Sequence, residues 1–363
     1  MKPKTNIAVF VSSHGFGHAA RISAIMTSLK ELLPEIHFEV FTEVPNWFFL
    51  DSLHSSVFNY YLLETDVGLI QKSPLEEDLP VTLDILKKFI PFENSVIESI
   101  AGKLKNLNCA MVLCDISPLG IAIAKNAGLP SVLIENFTWD WIYEGYAEFR
   151  QGFNPFIEYL NRYFKTADFR IQTEPVCHFI ENSMHVNPVS RNPKNPVQTT
   201  LKKLGIQSGR KVILVTLGGV PSKHDYIKQL QKFKDIDFIL PINVDKPRRD
   251  GNCIILPHHS DFYHPDLVAA SDAVIGKLGY STLAEVYQAG IPFGFITRDA
   301  FRESKPLSVF VENTMPSIKF TQDDFVNGTW IQAIPELLAL EREDKNRING
   351  AGEAASLILK LFG

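Results

Sequence analysis

The chain has 363 residues, 45% of them hydrophobic and 21% charged, the proportions of a globular protein large enough for two cores. A formal net charge of -5 excludes a global basic field of the kind that recruits nucleic acid, and the apolar run before Ser12 is too short for a signal peptide or a membrane span. Four scattered cysteines, Cys109, Cys114, Cys177 and Cys253, form no Cys-x-x-Cys pair; reduced, buried thiols are expected, which points to the cytoplasm.

In chain order, apolar runs predict strands at 6–11, 37–42, 109–114, 131–135 and 168–173. Helical periodicity predicts helices at 19–33, at 81–105 with an interruption at Pro91, at 118–127 and at 155–165. The stretch Asn187 to Pro196, rich in Pro and Asn, then reads as a linker. A second series follows, with strands at 211–216, 237–241, 253–256, 272–276, 293–296 and 317–320 and helices between them. Such alternation implies a parallel sheet covered on both faces. The expected organisation is α/β with two doubly wound domains, 1–188 and 209–342, joined by a linker at 189–208. A last helical stretch within 343–363 has no strand after it and is free to pack back on the junction. Ligands of such domains sit at the carboxyl ends of the strands.

Several motifs fall at those ends. Ser12-Ser13-His14-Gly15-Phe16-Gly17-His18 links the first strand to a periodic helix. Two glycines at a helix N-terminus suit a phosphate or oxyanion, and two histidines add groups suited to proton transfer. Gly15-x-Gly17-x-x-Ala20, with Glu43 further on, also fits a dinucleotide fingerprint, although histidines are unusual in a pyrophosphate turn. Asp115, at the end of the 109–114 strand, can orient a histidine as the third group of a relay does. Asn136, Trp139 and Asp140 combine an aromatic face with polar groups suited to a sugar; aromatic core plus a capped helix is the plainer account. Gly218 and Gly219 end a strand in a tight turn that fits a ligand contact or a turn alone. His259 and Phe262 lie in a loop placed where a nucleotide base would stack, and a solvated loop is a better account of its three histidines than a metal site. Lys277 ends a strand, and Gly279-Tyr280-Ser281-Thr282 opens a helix with Ser281 or Thr282 as the expected N-cap, a cradle for a diphosphate. Glu285, one turn inside, suits the hydroxyls of a ribose or simply favours the helix dipole.

Together, His14–Arg21, Asn136–Tyr143, Ala269–Tyr280 and Pro292–Asp299 resemble the GT-B glycosyltransferases, and among them the glycosyltransferase-like N-terminal region of plant L-arabinokinases and its free-standing bacterial relatives. The resemblance spans essentially the whole chain. It implies two Rossmann-like domains facing across a cleft, a UDP-type nucleotide-sugar donor, an unknown acceptor, no metal and no resident cofactor. It makes His18 the catalytic base, with Asp115 its partner. His14, Gly15, Phe16 and Gly17 become the acceptor-side wall with Asn136, Trp139 and Asp140. The donor falls to Gly218, Gly219, His259, Phe262, Lys277, Gly279 to Thr282, Glu285, Arg298 and Asp299. Transfer with inversion is expected. Two departures stand out. The glycine/serine-rich phosphate motif of the plant proteins' kinase domain is absent, so sugar-kinase activity is not expected of these residues. Arg298, Asp299, Arg302 and Glu303 stand where many family members carry an acidic-amide pair that grips the donor sugar, and Arg298 is itself suited to a phosphate or carboxylate. A sugar-nucleotide 2-epimerase and a non-catalytic nucleotide-sugar-binding module share the architecture and are the alternatives.

Overall fold

The computed structural model describes residues 5–73, 76–216, 226–343 and 347–361. The first half contains β1 (Thr5–Val11), β2 (Ile36–Thr42), β3 (Phe58–Leu62), a ribbon of β4 (Gln71–Ser73) and β5 (Glu76–Glu77), then β6 (Cys109–Asp115), β7 (Ser131–Glu135), β8 (Phe169–Thr173) and β9 (Met184–Val186). Apart from the ribbon, these strands form one parallel sheet in the order β3-β2-β1-β6-β7-β8-β9. The second half contains β10 (Lys211–Thr216), β11 (Ile236–Pro241), β12 (Arg248–Asp250), β13 (Cys253–Leu256), β14 (Ala273–Lys277), β15 (Phe293–Ile296) and β16 (Ser317–Phe320). Their order is β12-β13-β11-β10-β14-β15-β16, parallel except for the pairing of β12 with β13.

Burial on both faces explains the unbroken apolar runs. In β1, Ile7, Val9 and Val11 enter one core while Ala8 and Phe10 enter the other. In β10, Ile213 and Val215 face one way and Val212 and Leu214 the other. Helices on each face supply the remaining layers.

The expected strands form within a residue or two of their bounds, whereas β3, β9, β12 and the ribbon were not anticipated. The helical stretch at 81–105 is two helices, Leu79–Phe89 and Asn94–Asn106, because Pro91 cannot donate a helical hydrogen bond. The helix expected at 155–165 begins earlier, at Arg150, and carries Pro155 inside it. The last helix starts at Gly350 and runs to Lys360. Its Ala351, Ala354, Ala355 and Ile358 join Ala19, Ile22 and Met26 of the first helix in a core of the first sheet. Among the described residues no helix is long and apolar enough to cross a membrane.

Strand order reverses around β1, which lies between β2 and β6, and around β10, which lies between β11 and β14. Crevices for ligands open at such points. Register places Val11 opposite Asp115 in one sheet and Thr216 opposite Gly276 in the other.

Candidate active site

A cavity of about 910 Å³ lies between the two sheets' carboxyl ends and is lined from both halves of the chain. Gly15, at φ +69, turns the chain through the left-handed region, and the helix Gly17–Leu32 begins two residues later. That helix starts with neither an acidic residue in its first turn nor a side-chain cap, so its leading N–H groups are uncommitted. His18 lines the cavity and places Nδ1 2.9 Å from Asp115 Oδ1. With Nδ1 engaged there, Nε2 is the nitrogen left for a ligand.

Arg21, one turn beyond His18 on the same helix face, completes the arrangement. It donates to both Asp115 oxygens, from Nε at 2.9 Å and from Nη2 at 2.6 Å, and its Nη1 donates to Asn136 Oδ1 at 2.6 Å. Burial alone would raise the Asp115 pKa; the Arg21 guanidinium and His18 outweigh it and hold the carboxyl below its ordinary value. Asp115 is therefore a fixed anion, buried and oriented.

A second buried carboxyl, Asp66, lines the same cavity in the loop after β3. Ser12 Oγ donates to it at 3.1 Å and Trp139 Nε1 at 2.8 Å. Desolvation pushes it up to about 7 despite those two bonds. Nearby, His14 Nδ1 accepts from the Leu69 backbone N–H at 3.3 Å, and its ring meets the edge of Trp139. Burial, with the charges of Arg298, His18 and Lys277, drives the His14 pKa well below that of a free imidazole. His14 is therefore neutral and part of the wall.

Across the cavity stands the helix Tyr280–Ala289. Its N-cap is Gly279, not Ser281 or Thr282 as expected; both lie inside the first turn. The helix start again has no side-chain cap and no acidic residue in its first turn, so free N–H groups face the cavity mouth. The two helix starts nearly touch: a Cβ added at Gly17 would lie 4.0 Å from Ser281 Oγ. The Tyr280 ring sits 4.9 Å from the Arg21 guanidinium carbon, so the second half of the chain closes over the His18–Asp115–Arg21 cluster. Lys277 and Arg298 line the neighbouring wall; burial, reinforced by Arg298, pushes the Lys277 ammonium down to about 8.

The sequence-based assignments fare unevenly. His14, Gly15, Phe16, Gly17, Phe262, Lys277, Gly279 to Thr282 and Arg298 line the cavity with His18. Gly218 and Gly219 lie outside the described residues. Glu285 is buried behind the wall and does not line the cavity: Arg191 holds Oε1 at 3.0 Å and His264 Nδ1 meets Oε2 at 2.6 Å, so Glu285 orients two cavity-lining residues. His259 does not line the cavity; its ring stacks on Trp47 with the centroids 4.1 Å apart. Asp299 is exposed and accepts from Thr297 Oγ1 at 3.3 Å. Asn136, Trp139 and Asp140 do not line the cavity; each is buried with a protein partner, Arg21, Asp66 and Asn161 respectively. Arg21, Asp66, Arg191 and His264 were missed. The signal for Arg21 was available, since i and i+3 on one helix bring it beside His18. Among the described residues no group of three or more His, Cys, Asp or Glu side chains is placed to hold a metal ion.

No family model matches the chain. It is similar to the L-arabinokinase of Arabidopsis thaliana, with 26% identity over 366 residues covering 97% of this chain and 34% of the relative. The chain thus spans about a third of that protein's length. Among solved structures it is similar to a UDP-glucosyltransferase from Polygonum tinctorium capable of glucosylating indoxyl (TM-score 0.65, 13% identity, 99% of each chain). It is also similar to UGT89C1 of Arabidopsis thaliana complexed with UDP (TM-score 0.64, 13% identity, 99% of this chain and 100% of that one). A third is the calicheamicin glycosyltransferase CalG4 (TM-score 0.58, 15% identity, 100% of this chain and 96% of that one). The fold is GT-B, two Rossmann-like domains facing across a cleft, as the resemblance implied.

Proposed function

We propose that the chain is a glycosyltransferase that moves a sugar, with inversion, from a UDP-type donor to an acceptor hydroxyl. The observation that carries this reading is the His18–Asp115 pair at 2.9 Å, set in the cleft directly opposite the uncapped start of the helix Tyr280–Ala289. In the reaction His18 Nε2 takes the proton of the acceptor hydroxyl, and the freed oxygen attacks the anomeric carbon of the donor. The bond from that carbon to the diphosphate oxygen breaks, its electron pair leaves with the diphosphate, and the transferred proton stays on His18. Asp115 stabilises the imidazolium and fixes its ring; Arg21 and Asn136 are positioning residues that hold Asp115. The N–H groups at the start of the helix Tyr280–Ala289, rather than a metal ion, meet the charge that develops on the diphosphate. The similarity in fold to a UDP-glucosyltransferase and to UGT89C1 complexed with UDP supports a UDP-type donor.

The test has two arms. A thermal-shift panel of nucleoside diphosphates should show a rise in melting temperature with UDP, since a ligand selective for the folded state stabilises it. With donor and acceptor saturating, His18→Ala should lower kcat by about 10²- to 10⁴-fold while leaving the UDP-induced shift intact. Unchanged turnover removes the base assignment, and a lost UDP shift makes the loop a donor site.

A further inference from the structure

The loop after β1 carries two imidazoles whose hydrogen bonds fix opposite tautomers. His18 Nδ1 lies 2.9 Å from Asp115 Oδ1, a carboxylate held as an anion, so its ring proton sits on Nδ1 and Nε2 keeps a lone pair. His14 is the reverse. Its Nδ1 accepts from the Leu69 N–H at 3.3 Å, so its ring proton sits on Nε2. That Nε2 makes no hydrogen bond among the described residues. It is not sealed inside the protein either, since His14 is half-buried and lines the cavity. One loop thus presents a proton acceptor and, four residues before it, a fixed hydrogen-bond donor.

The seat of the His14 ring is built around it. Gly68, at φ +62, has no room for a side chain, because a Cβ there would lie 2.9 Å from both Cβ and Nδ1 of His14. Tyr143 Oη donates to the Gly68 carbonyl at 2.7 Å and holds that turn. Trp139 meets the ring edge-on at 5.0 Å, and Phe301 lies 6.3 Å away. Burial and the charges of Arg298, His18 and Lys277 keep the imidazole neutral. Those charges come from both sides of the proposed reaction: His18 is the base, while Lys277 ends β14 and Arg298 follows the end of β15. The ring therefore lies between the base and the donor-side wall, where the anomeric carbon has to sit for attack.

A substrate that fills the cavity expels water from His14 Nε2, and a donor left unpaired there costs binding unless the substrate brings an oxygen. That oxygen is not the attacking one, because an N–H bonded to it would oppose the nucleophile that His18 creates. Nor does it belong to the diphosphate, which the start of the helix Tyr280–Ala289 meets in the proposed reaction. Resting on the glycosyl-transfer reading, we propose that His14 is a specificity-determining residue, donating from Nε2 to a non-reacting hydroxyl of the transferred sugar. The proton on Nε2 stays there throughout, so the reaction itself is unchanged.

Two substitutions separate this role from a structural one. His14→Asn offers the Leu69 N–H an acceptor in place of Nδ1 but brings no donor to the position of Nε2. His14→Gln reaches that position with its amide and gives up the Leu69 bond. The full chain and both variants are titrated calorimetrically with UDP, UDP-glucose, UDP-galactose and UDP-xylose. For at least one of these sugars, affinity relative to UDP should fall about 3- to 10-fold in His14→Asn, as the loss of one hydrogen bond allows. In His14→Gln it should stay within about twofold of the wild type, and UDP itself should bind all three proteins alike. A structural role predicts the opposite order, with His14→Asn like the wild type and His14→Gln impaired. His14→Asn keeping the relative affinity of every sugar overturns the inference. So does an equal loss in both variants, or a loss of UDP affinity as large as that for the sugars. Failure of UDP to bind the wild type strikes the glycosyl-transfer reading first and this one with it.

Discussion

Two carboxyl groups beneath the same loop are driven in opposite directions by their surroundings. Asp115 has Arg21 against both oxygens and stays an anion, whereas Asp66 has only neutral donors and is pushed up to about 7 by burial. The unfolded chain ionises Asp66 near 3.8. Between those two values the folded state binds the extra proton, so this group's contribution to stability falls as pH rises through the window and levels off above it. Asp66→Asn copies the protonated form, its carbonyl accepting from Trp139 Nε1 and its amide donating to Ser12 Oγ. The variant should match the wild type near pH 4 and exceed it by on the order of 2–4 kcal/mol at pH 8, read from urea unfolding at both values. An unchanged difference between the two pH values would mean that Asp66 is not desolvated. Arg21→Leu acts the other way: it strands Asp115 as a buried, unpaired charge and should cost about 3–5 kcal/mol at pH 7. A loss below about 1 kcal/mol would show that Asp115 carries no charge in the fold. His18 and Asp115 were legible because each ends or follows an apolar run that reads as a strand. Asp66 was not: it sits in an irregular loop, and its partners Ser12 and Trp139 are 54 and 73 residues away. Trp139 shows the same limit, since an indole beside polar residues fits a sugar platform and an aromatic core alike, and only the fold shows Asp66 taking its N–H.

Elements were legible to the degree that both their faces are buried. β1, β6 and β10 show as unbroken apolar runs, while the edge strand β3 fully buries only Phe58 and β9 has three residues, too few for a pattern. The last helix shows how a small residue sets an element's seat. A Cβ at Gly350 would meet the Asn187 carbonyl oxygen at 1.9 Å, and the Gly350 N–H already donates to Pro188 O at 3.1 Å. Two residues on, a Cβ at Gly352 would meet nothing within 4 Å. Opposite outcomes are expected from the same substitution. Gly350→Ala should unseat the helix and cost more than about 2 kcal/mol, whereas Gly352→Ala should stabilise by up to about 1 kcal/mol through helix propensity. Thermal unfolding of the two variants decides this, and a neutral Gly350→Ala would mean that the helix shifts at no cost.

At the scale of the molecule, the order of the chain is not the order of its cores. The helix Gly350–Lys360 follows every strand of the second sheet but buries its apolar face on the first, with Ala354, Ala355 and Ile358 fully covered. Asn349 ties its start to the linker through bonds with the Ser190 N–H and carbonyl at 3.2 and 2.8 Å. Further links cross the cleft, such as Asn136 to Glu303 at 2.9 Å and Ser52 to Tyr263 at 3.2 Å. None of these was visible in local pattern, because the partners are separated by more than 150 residues. The alternation of strand and helix, by contrast, showed two domains directly. It follows that a cut at the linker does not yield an intact first domain. Residues 1–192 alone should expose the apolar face formed by Ala19, Ile22 and Met26 and unfold without a cooperative transition. Joining residues 347–363 to that fragment by a short Gly/Ser link should restore a sigmoidal urea transition and near-ultraviolet dichroism, because Gly350 already lies against Pro188. If the shorter fragment unfolds as cooperatively as the joined one, the helix is an accessory to the first core and its return across the junction serves the cleft instead.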